Sequence, residues 1–239
     1  MTRDDEGPEP ISTGCEALDS LLGGGIDRGA VTQFYGPPAS GKTNVALSAA
    51  VEVASNDGTT VYIDTEDLSI DRFRQLADGR NGPASVDELA SRVVIKEAAT
   101  FDQQRTAVGE VEDLSERADL IVLDSATGFY RLERSGDQDD GESLREVARQ
   151  VAHLLSLARR FDLAILVTNQ VYTDPETDRL RPLGGQTLAH WTGVVVRLER
   201  FRGGNRRATL EKHRSRATGD SIRFKITGDG LVGIEGDTV

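Results

Sequence analysis

The segment Gly36–Thr43, which reads GPPASGKT, constrains the fold of this 239-residue chain more than any other part of its sequence. It fits the pattern G-x-x-x-x-G-K-[ST], whose glycines let backbone N–H groups curl around a phosphate. An apolar run at 30–35 precedes the segment, and a helical pattern from Lys42 to about Ala54 follows it. Because the positive end of a helix must face the phosphate, we predict a strand, a phosphate-binding loop and a helix in that order.

Strands and helices alternate along the middle of the chain. The apolar runs that we predict to be strands lie at 60–64, 92–96, 120–123 and 163–168. The segments that we predict to be helices lie at 14–22, 70–77, 86–90, 101–118 and 143–161. The last of these has the clearest i, i+3, i+4 spacing, and Ser143 and Glu146 have the spacing of a capping box at its start. This alternation favours a parallel sheet covered by helices.

The C-terminal third of the sequence has the pattern of hairpins. A polar loop is predicted from 171 to 186. Beyond it, alternating segments at 194–202 and 206–214 flank a Gly-Gly-Asn turn, and strands at 221–226 and 231–234 flank an Asp-Gly turn. Such turns are typical of antiparallel pairs. The predicted fold class is therefore α/β: a mostly parallel twisted sheet flanked by helices, with antiparallel C-terminal hairpins.

Length and composition limit the domain organisation and the compartment. We expect a disordered acidic tail at 1–10 and a single core domain at 11–239. Cys15 is the only cysteine, so no internal disulfide can form, which fits a reducing cytoplasm. The sequence has no apolar run near 18 residues, and its first residues are acidic. We therefore expect neither a membrane span nor a signal peptide, and a cytoplasmic location.

The charge is strongly acidic overall but uneven along the chain. Asp and Glu number 40 against 28 Lys and Arg, a net charge of −12, and only four of the basic residues are lysines. With 5% aromatic residues, this composition resembles that of proteins from a salt-saturated cytoplasm, although an ordinary acidic protein is the alternative. The segment 197–216, in contrast, contains eight basic and two acidic residues. This basic segment indicates either an anionic partner or a solvated hairpin face.

Polar side chains at the ends of the predicted strands complete a nucleotide site around the loop. Lys42 is expected to reach the β and γ oxygens of ATP, and Thr43 and Asp124 to hold Mg²⁺. Glu66 could orient or deprotonate an attacking water, and Gln170 could sense the γ-phosphate; each could instead anchor a loop. The predicted catalytic residues are thus Glu66, Lys42 and Gln170. The predicted phosphate-binding residues are Gly36, Ala39, Ser40, Gly41, Lys42, Thr43 and Asn44.

Several segments resemble, in order, those of the RecA-like recombinase superfamily and, most closely, the archaeal RadB family. They are 11–26 (ISTGCEALDSLLGGGI), 64–66 (DTE), 123–125 (LDS), 167–171 (VTNQV) and 183–190 (LGGQTLAH). The resemblance covers about residues 11–235 and implies a RecA-like P-loop NTPase core. Two departures from the related RadA proteins favour RadB: we expect neither an N-terminal DNA-binding helical domain nor a Phe-x-x-Ala subunit hook. Instead, 211–214 (EKHR) resembles the Lys-x-Arg/Lys fingers of RecA and KaiC-type ATPases.

The resemblance implies an activity, cofactors and partners. The family binds ATP and Mg²⁺, has at most a very weak Mg-dependent ATPase, and does not exchange DNA strands itself. It binds single-stranded and branched DNA, assists the RadA recombinase in recombination and repair, and is implied to contact a Holliday-junction resolvase. By position, Arg72 resembles the residue that stacks on adenine, as a flat guanidinium can.

The resemblance also implies DNA-binding loops and residues that act on a neighbouring subunit. Tyr130 and Arg131 lie in the first loop, and Arg179 and Arg181 lie in the second, where arginines would meet phosphates and Tyr130 could stack on a base. Ordinary solvated loops are the alternative. The remaining pair, Lys212 and Arg214, could reach the γ-phosphate of a neighbour in trans.

Two other functions stay open at this stage. One is a DNA-stimulated ATPase that forms filaments and exchanges strands. The other is a KaiC-like ATPase that regulates proteins and does not bind DNA. The expected absence of a hook argues against the first. The basic segment argues against the second, although the finger-like residues at 211–214 suit it.

Overall fold

A computed structural model of the chain describes residues 9–80, 82–129, 140–174 and 178–234. The helices are α1 Glu16–Leu22, α2 Lys42–Ser55, α3 Ile70–Asp78, α4 Val86–Ser91, α5 Phe101–Glu110, α6 Asp140–Phe161 and α7 Gly185–Trp191. The strands are β1 Val31–Tyr35, β2 Thr60–Asp64, β3 Val93–Glu97, β4 Leu120–Asp124, β5 Ala164–Asn169, β6 Val171–Asp174, β7 Arg179–Pro182, β8 Val194–Arg200, β9 Asn205–Lys212, β10 Ser221–Ile226 and β11 Leu231–Gly233. Short 3-10 segments lie at Val111–Arg117 and Arg202–Gly204.

One sheet organises the described part of the chain. Its strand order is β11-β10-β9-β8-β1-β5-β4-β2-β3. The strands from β8 to β3 run parallel, and β9, β10 and β11 continue the sheet through antiparallel pairs. The predicted fold class is confirmed, including the antiparallel C-terminal hairpins. Because the parallel strands end at one edge, the loops that follow β1, β2, β4 and β5 meet there.

Both faces of the parallel part of the sheet are buried under helices. In β4, Leu120 and Val122 belong to the core on the side of α1 to α4, while Ile121 and Leu123 belong to the core on the side of α5 and α6. Successive side chains of a strand point to opposite faces. A strand covered on both faces is therefore mostly apolar, which explains the continuous apolar runs in the sequence, although the equally buried β1 also includes two polar residues.

Helix α6 starts earlier than the capping-box pattern predicts. The helix begins at Asp140, so Ser143 lies within its first turn and is buried, and the prediction of Ser143 as the cap was wrong. Acidic residues in a first turn are stabilised by the helix dipole, and Glu142, directly before the pattern, satisfies that preference. A capping box does occur at α4, where the Ser85 side chain accepts a hydrogen bond from the Glu88 amide.

Two other predicted segments differ from the structure. The helix predicted at 101–118 is α-helical only to Glu110 and then tightens into the 3-10 segment Val111–Arg117. The polar loop predicted at 171–186 contains a small antiparallel pair, β6 and β7, and the start of α7. Short strands of this kind pair locally, outside the main sheet, so they leave little hydrophobic signal in the sequence.

Some predictions concern parts of the chain outside the described residues. Residues 1–8 of the expected acidic tail lie outside them, and so do Tyr130 and Arg131 of the first predicted DNA loop. No helix in the described ranges has the length and apolar character needed to cross a membrane.

Candidate functional site

The loop Gly36–Thr43 joins β1 to α2, as the sequence predicts. Gly36 packs so closely on β8 that a Cβ atom there would lie 2.2 Å from the Leu198 carbonyl oxygen. Ala39 and Gly41 both have positive φ, at 60° and 107°. Two left-handed residues within three positions turn the chain back on itself. The loop therefore closes over the N-terminus of α2 rather than continuing away from it.

Backbone amides at the start of α2 are available to a ligand. Val45 donates the first backbone hydrogen bond of this helix, to the Gly41 carbonyl oxygen at 3.0 Å. Within the described residues, the amides of Gly41–Asn44 have no hydrogen-bond partner, and the buried Ser40 hydroxyl has none either. Unpaired amides at a helix N-terminus favour a bound anion. This arrangement fits the phosphates of a nucleotide.

Lys42 holds a positive charge at the same loop. Its Nζ donates to the carbonyl oxygens of Gly36 at 3.0 Å and Pro37 at 3.3 Å, and the residue is only 7% exposed. Burial lowers the pKa of Lys42, and the negative charges of Glu66 and Asp124 raise it in part. The ammonium is thus poorly solvated and bonded to neutral carbonyls, so a phosphate would compensate it better than the chain does.

The Asp124 carboxylate is buried at the end of β4 and held by hydroxyl groups. The Tyr62 hydroxyl donates to it at 2.7 Å, and the Thr168 hydroxyl donates to its other oxygen. Burial and the negative charge of Glu66 raise the pKa of Asp124, while the hydrogen bonds from Thr168 and Tyr62 and the nearby Thr43 hydroxyl lower it. Because the Thr43 hydroxyl faces this carboxylate, the two predicted magnesium ligands lie together. Hard oxygen donors of this kind suit Mg²⁺.

We predict that Asp124→Asn stabilises the ligand-free protein and weakens its use of magnesium. A folded-state pKa above the unfolded value means that ionised Asp124 costs stability, and this cost appears as the pH rises through the unfolded and then the folded pKa. Asparagine removes the charge and keeps an acceptor for Thr168. Urea denaturation at a series of pH values should show a gain in stability that begins to grow as the pH rises past the ordinary pKa of an aspartate and levels off above the folded-state pKa, with the exposed Asp113→Asn variant as control.

The same Asp124→Asn variant should lose about tenfold or more in magnesium-dependent nucleotide affinity, since a metal ligand is lost. A loss of stability at neutral pH with no change in magnesium dependence would contradict this reading of the site.

Glu66 and Gln170 meet beside the loop. Glu66 Oε1 accepts from the Ser125 hydroxyl at 2.6 Å and from the Gln170 side-chain amide at 2.8 Å. The loop that carries Glu66 is fixed by Asp64, whose carboxylate accepts from the amides of Glu66 and Leu68 at 3.0 and 2.7 Å. Both side chains line a cavity of about 330 Å³ together with the loop that binds the phosphate. The structure therefore brings all three predicted catalytic residues together.

Arg72 lies in α3 next to the start of α2. Its Nε donates to Asn44 Oδ1 at 2.7 Å, and its Nη1 donates to the Gly228 carbonyl oxygen at 2.8 Å. The guanidinium therefore connects α2 to the β10–β11 turn, on a side where a nucleotide base could lie. Its stacking on adenine stays a prediction.

The predicted DNA-contact and trans-acting residues lie elsewhere and contact their own chain. Arg181, in β7, is half exposed and lies 3.4 Å from the Asp174 carboxylate, while Arg179 pairs through its backbone with Asp174. Lys212 donates to the carbonyl oxygens of Ala189 and Thr192 at 2.6 and 2.7 Å. Arg214 donates to Asp27 at 2.9 Å. A role in trans for Lys212 and Arg214 stays a prediction and requires these contacts to open.

Sequence reasoning missed the hydroxyl groups that position the carboxylates. Tyr62 and Thr168 lie in buried strands, where they look like ordinary core residues, and Ser125 directly follows Asp124. A tyrosine in an otherwise apolar strand was the available signal, because a buried phenol needs a partner. The partner could be identified only from the strand order, which places β2 next to β4.

Comparison with known proteins identifies extensive similarity. A family model described as Rad51 matches residues 9–234. The DNA repair and recombination protein RadB of Halobacterium salinarum is 59% identical over 224 residues, covering 92% of this chain and 94% of that protein. The RadB protein of Methanococcoides burtonii is 41% identical over 224 residues, covering 93% and 97%. A crystal structure of the RadB recombinase has a TM-score of 0.81 and 36% identity, covering 94% of this chain and 100% of that one.

Proposed function

The chain belongs to the Rad51 family and, within it, to the archaeal RadB proteins, and from that premise we propose that it is an ATP- and DNA-binding protein of homologous recombination and repair. Its acidic composition and its 59% identity to a Halobacterium protein support our proposal of a halophilic source. We further propose that it acts in the cytoplasm as a mediator that assists RadA, with very weak ATP hydrolysis and no strand exchange of its own.

One observation carries the nucleotide-binding part of this proposal. The amides of Gly41–Asn44, which have no hydrogen-bond partner among the described residues, line one cavity with Glu66 and Gln170. In the proposed site the amides and Lys42 hold the phosphates, and Thr43 and Asp124 hold Mg²⁺. When bound, MgATP supplies a phosphoanhydride bond whose hydrolysis the site can couple to a change of shape. Glu66 accepts the proton of a water, and Gln170 and Ser125 fix the orientation of Glu66.

The small number of cations that can reach the γ-phosphate supports the proposal of slow ATP hydrolysis. In phosphoryl transfer, a cation that reaches the transferred group in trans contributes about 10³–10⁵ in rate. The residues that resemble such cations, Lys212 and Arg214, are bonded to their own chain. In a single chain, Lys42 is then the main cation that contacts the γ-phosphate. We therefore propose that ATP acts mostly as a conformational ligand.

The experiment that tests this function measures ATP turnover with and without single-stranded DNA in multimolar KCl, next to a DNA-binding assay. Slow turnover that DNA does not change, together with measurable DNA binding, supports the mediator. Strong stimulation by DNA would favour a filament-forming recombinase, and the absence of DNA binding at any salt would favour a protein-directed ATPase. A pull-down with RadA, with and without ATP, tests the proposed partnership; the same assay with a Holliday-junction resolvase tests the second proposed partner.

We predict that single-stranded DNA binding persists at about 2 M KCl and depends only weakly on salt. Counterion release drives little binding when the surrounding salt is already high, and the net charge of −12 repels DNA. Stacking and hydrogen bonds must then provide the affinity. Fluorescence anisotropy of a labelled oligonucleotide, titrated over KCl concentration, measures this. A steep salt slope with no residual binding at that concentration would rule out direct DNA contact as the working mode.

In the same assay, Arg181→Ala should lower the affinity several-fold, because one guanidinium contact to DNA is lost. Arg105→Ala is a matched control: both arginines are about half exposed and both lie near a carboxylate of their own segment. Equal effects of the two substitutions would contradict a specific role for Arg181.

A further inference from the structure

Arg206, at the start of β9, lies against the phosphate-binding loop. It pairs with Phe224 across the β9–β10 ladder, and Phe224 is fully buried in the core on the α2 side of the sheet. Directly paired residues of two strands share a face, so Arg206 points toward α2. An atom at the Cβ position of Gly41 would lie 3.3 Å from Arg206 Nε and 2.9 Å from Ile226 Cδ1. The guanidinium thus contacts the residue that precedes Lys42.

The guanidinium of Arg206 is incompletely satisfied by its own chain. Nη1 donates to the Gly204 carbonyl oxygen, but Nε is buried and has no hydrogen-bond partner within the described ranges. No carboxylate of those ranges forms an ion pair with it either. A buried cationic donor without an acceptor is costly, and the cost disappears when an acceptor binds. The electrostatic surroundings also favour a bound anion, because burial and the positive charge of Arg200 both lower the pKa of Arg206.

A second arginine, on the neighbouring side of the α2 N-terminus, also has a buried donor that lacks a hydrogen-bond partner. Arg72 Nη2 is also buried without a partner within the residues described, although Nε and Nη1 of the same guanidinium are bonded. Arg72 contacts Asn44 and the β10–β11 turn, and Arg206 contacts Gly41 beside the last residue of β10. Both arginines therefore flank the first turn of α2, and β10 with its turn connects them.

Neither arginine lines the cavity that contains Glu66 and Gln170. In the proposed function those two residues serve the γ-phosphate end of the ligand. Arg206 then lies on the part of the ligand nearer the nucleoside, where Arg72 is expected to meet the base. A guanidinium recognises phosphate through charge-assisted hydrogen bonds. The group in that part of a nucleotide that offers charged acceptors is the α-phosphate.

We propose that Arg206 is a nucleotide-binding residue that donates from its guanidinium to the α-phosphate. This inference rests on the proposed ATP binding and adds to it a residue from the C-terminal hairpins. It makes β9 a direct sensor of nucleotide. The basic segment 197–216 would then be connected to the ligand through Arg206, while most of its other cations bond to the chain itself.

The test compares Arg206→Met with Arg206→Lys and the control Arg223→Met by isothermal titration calorimetry in high KCl. Arg223 is exposed on β10 and pairs with Arg207 rather than with Arg206. The ligands are MgATP, MgADP and inorganic pyrophosphate, whose two phosphates can fill the β and γ positions beside Lys42 without an α-phosphate. We expect Arg206→Met to lower affinity for both nucleotides about tenfold or more, as loss of a charge-assisted hydrogen bond does. Pyrophosphate affinity should change less than about twofold, Arg206→Lys should be intermediate, and Arg223→Met should match wild type.

Each result bears on the proposal. Unchanged nucleotide affinity in Arg206→Met would overturn it, and so would an equal loss for pyrophosphate, because that result would mean that Arg206 only supports the loop. If Arg206→Met loses its thermal transition, Arg206→Lys decides between these results. If wild type binds neither nucleotide, the proposed function itself fails, and that result is distinct from wild-type binding that the substitution leaves intact.

Discussion

Replacing Lys42 by alanine is expected to lower MgATP affinity at least about 100-fold and to leave the ligand-free protein as stable as wild type or more stable. Lys42 is nearly buried, and burial lowers its pKa, so its charge costs folding free energy in the ligand-free state. Its only hydrogen-bond partners in the described ranges are two carbonyl oxygens. The residue therefore contributes little to the fold and much to a bound polyphosphate, whose charge it partly neutralises.

Two measurements check this prediction together. Calorimetric titration gives the affinity, and thermal denaturation with and without MgATP gives the ligand-induced stabilisation, which for wild type at 100 times Kd amounts to about 2.7 kcal/mol. Lys42→Ala should lose this stabilisation. Lys225→Ala, a substitution of an exposed lysine in β10, should keep it. If Lys42→Ala retained wild-type affinity, the phosphate site would have to lie elsewhere.

Glu66→Gln is expected to separate binding from hydrolysis. Glutamine keeps an Oε1 that can accept from Ser125 and Gln170, so the hydrogen bonds at 2.6 and 2.8 Å can persist. It cannot take a proton from water. Turnover should fall about 100-fold, a typical contribution of a general base, while MgATP affinity stays within about threefold.

Single-turnover assays with excess protein suit this comparison, because the proposed wild-type rate is already slow. Glu97→Gln provides the control: Glu97 ends β3 directly opposite Asp64, at the same edge of the sheet, but is exposed and lies outside the cavity. Glu66→Gln that hydrolyses ATP at the wild-type rate would show that another group activates the water. A parallel loss of affinity and rate would show that Glu66 acts in binding.

The parts of the site that sequence predicts well are those in which one continuous segment carries the information. The loop Gly36–Thr43 is such a segment: glycine placement and the following helix are local properties. The position of Asp124 is nearly as accessible, because an apolar run ends in a carboxylate there. The Tyr62–Asp124 hydrogen bond is different, since its two residues are 62 positions apart and meet only because β2 pairs with β4.

The charge pattern of the sequence is also a limited guide to the structure. The basic segment 197–216 has a high density of positive charge in the sequence. In the structure, however, Glu199 of β8 forms ion pairs with Arg197 of the same strand and with Arg207 of the neighbouring strand β9. Arg214 bonds to Asp27 from the opposite end of the chain. Counting charges along a sequence cannot anticipate such partners. It also cannot distinguish Arg206, whose buried Nε lacks a partner within the described residues, from its neighbours.

Hydrogen exchange of the segment 36–45, followed by mass spectrometry with and without MgADP, tests the account most directly. The amides of Gly41–Asn44 have no partner in the described protein, so they should exchange rapidly in the free chain. A nucleotide bound by main-chain donors should slow exchange in this segment about tenfold or more, and leave the peptide that contains β3 unchanged. If the segment exchanged at the same rate in the free protein and with saturating MgADP, the claim that these amides bind the phosphates would be contradicted.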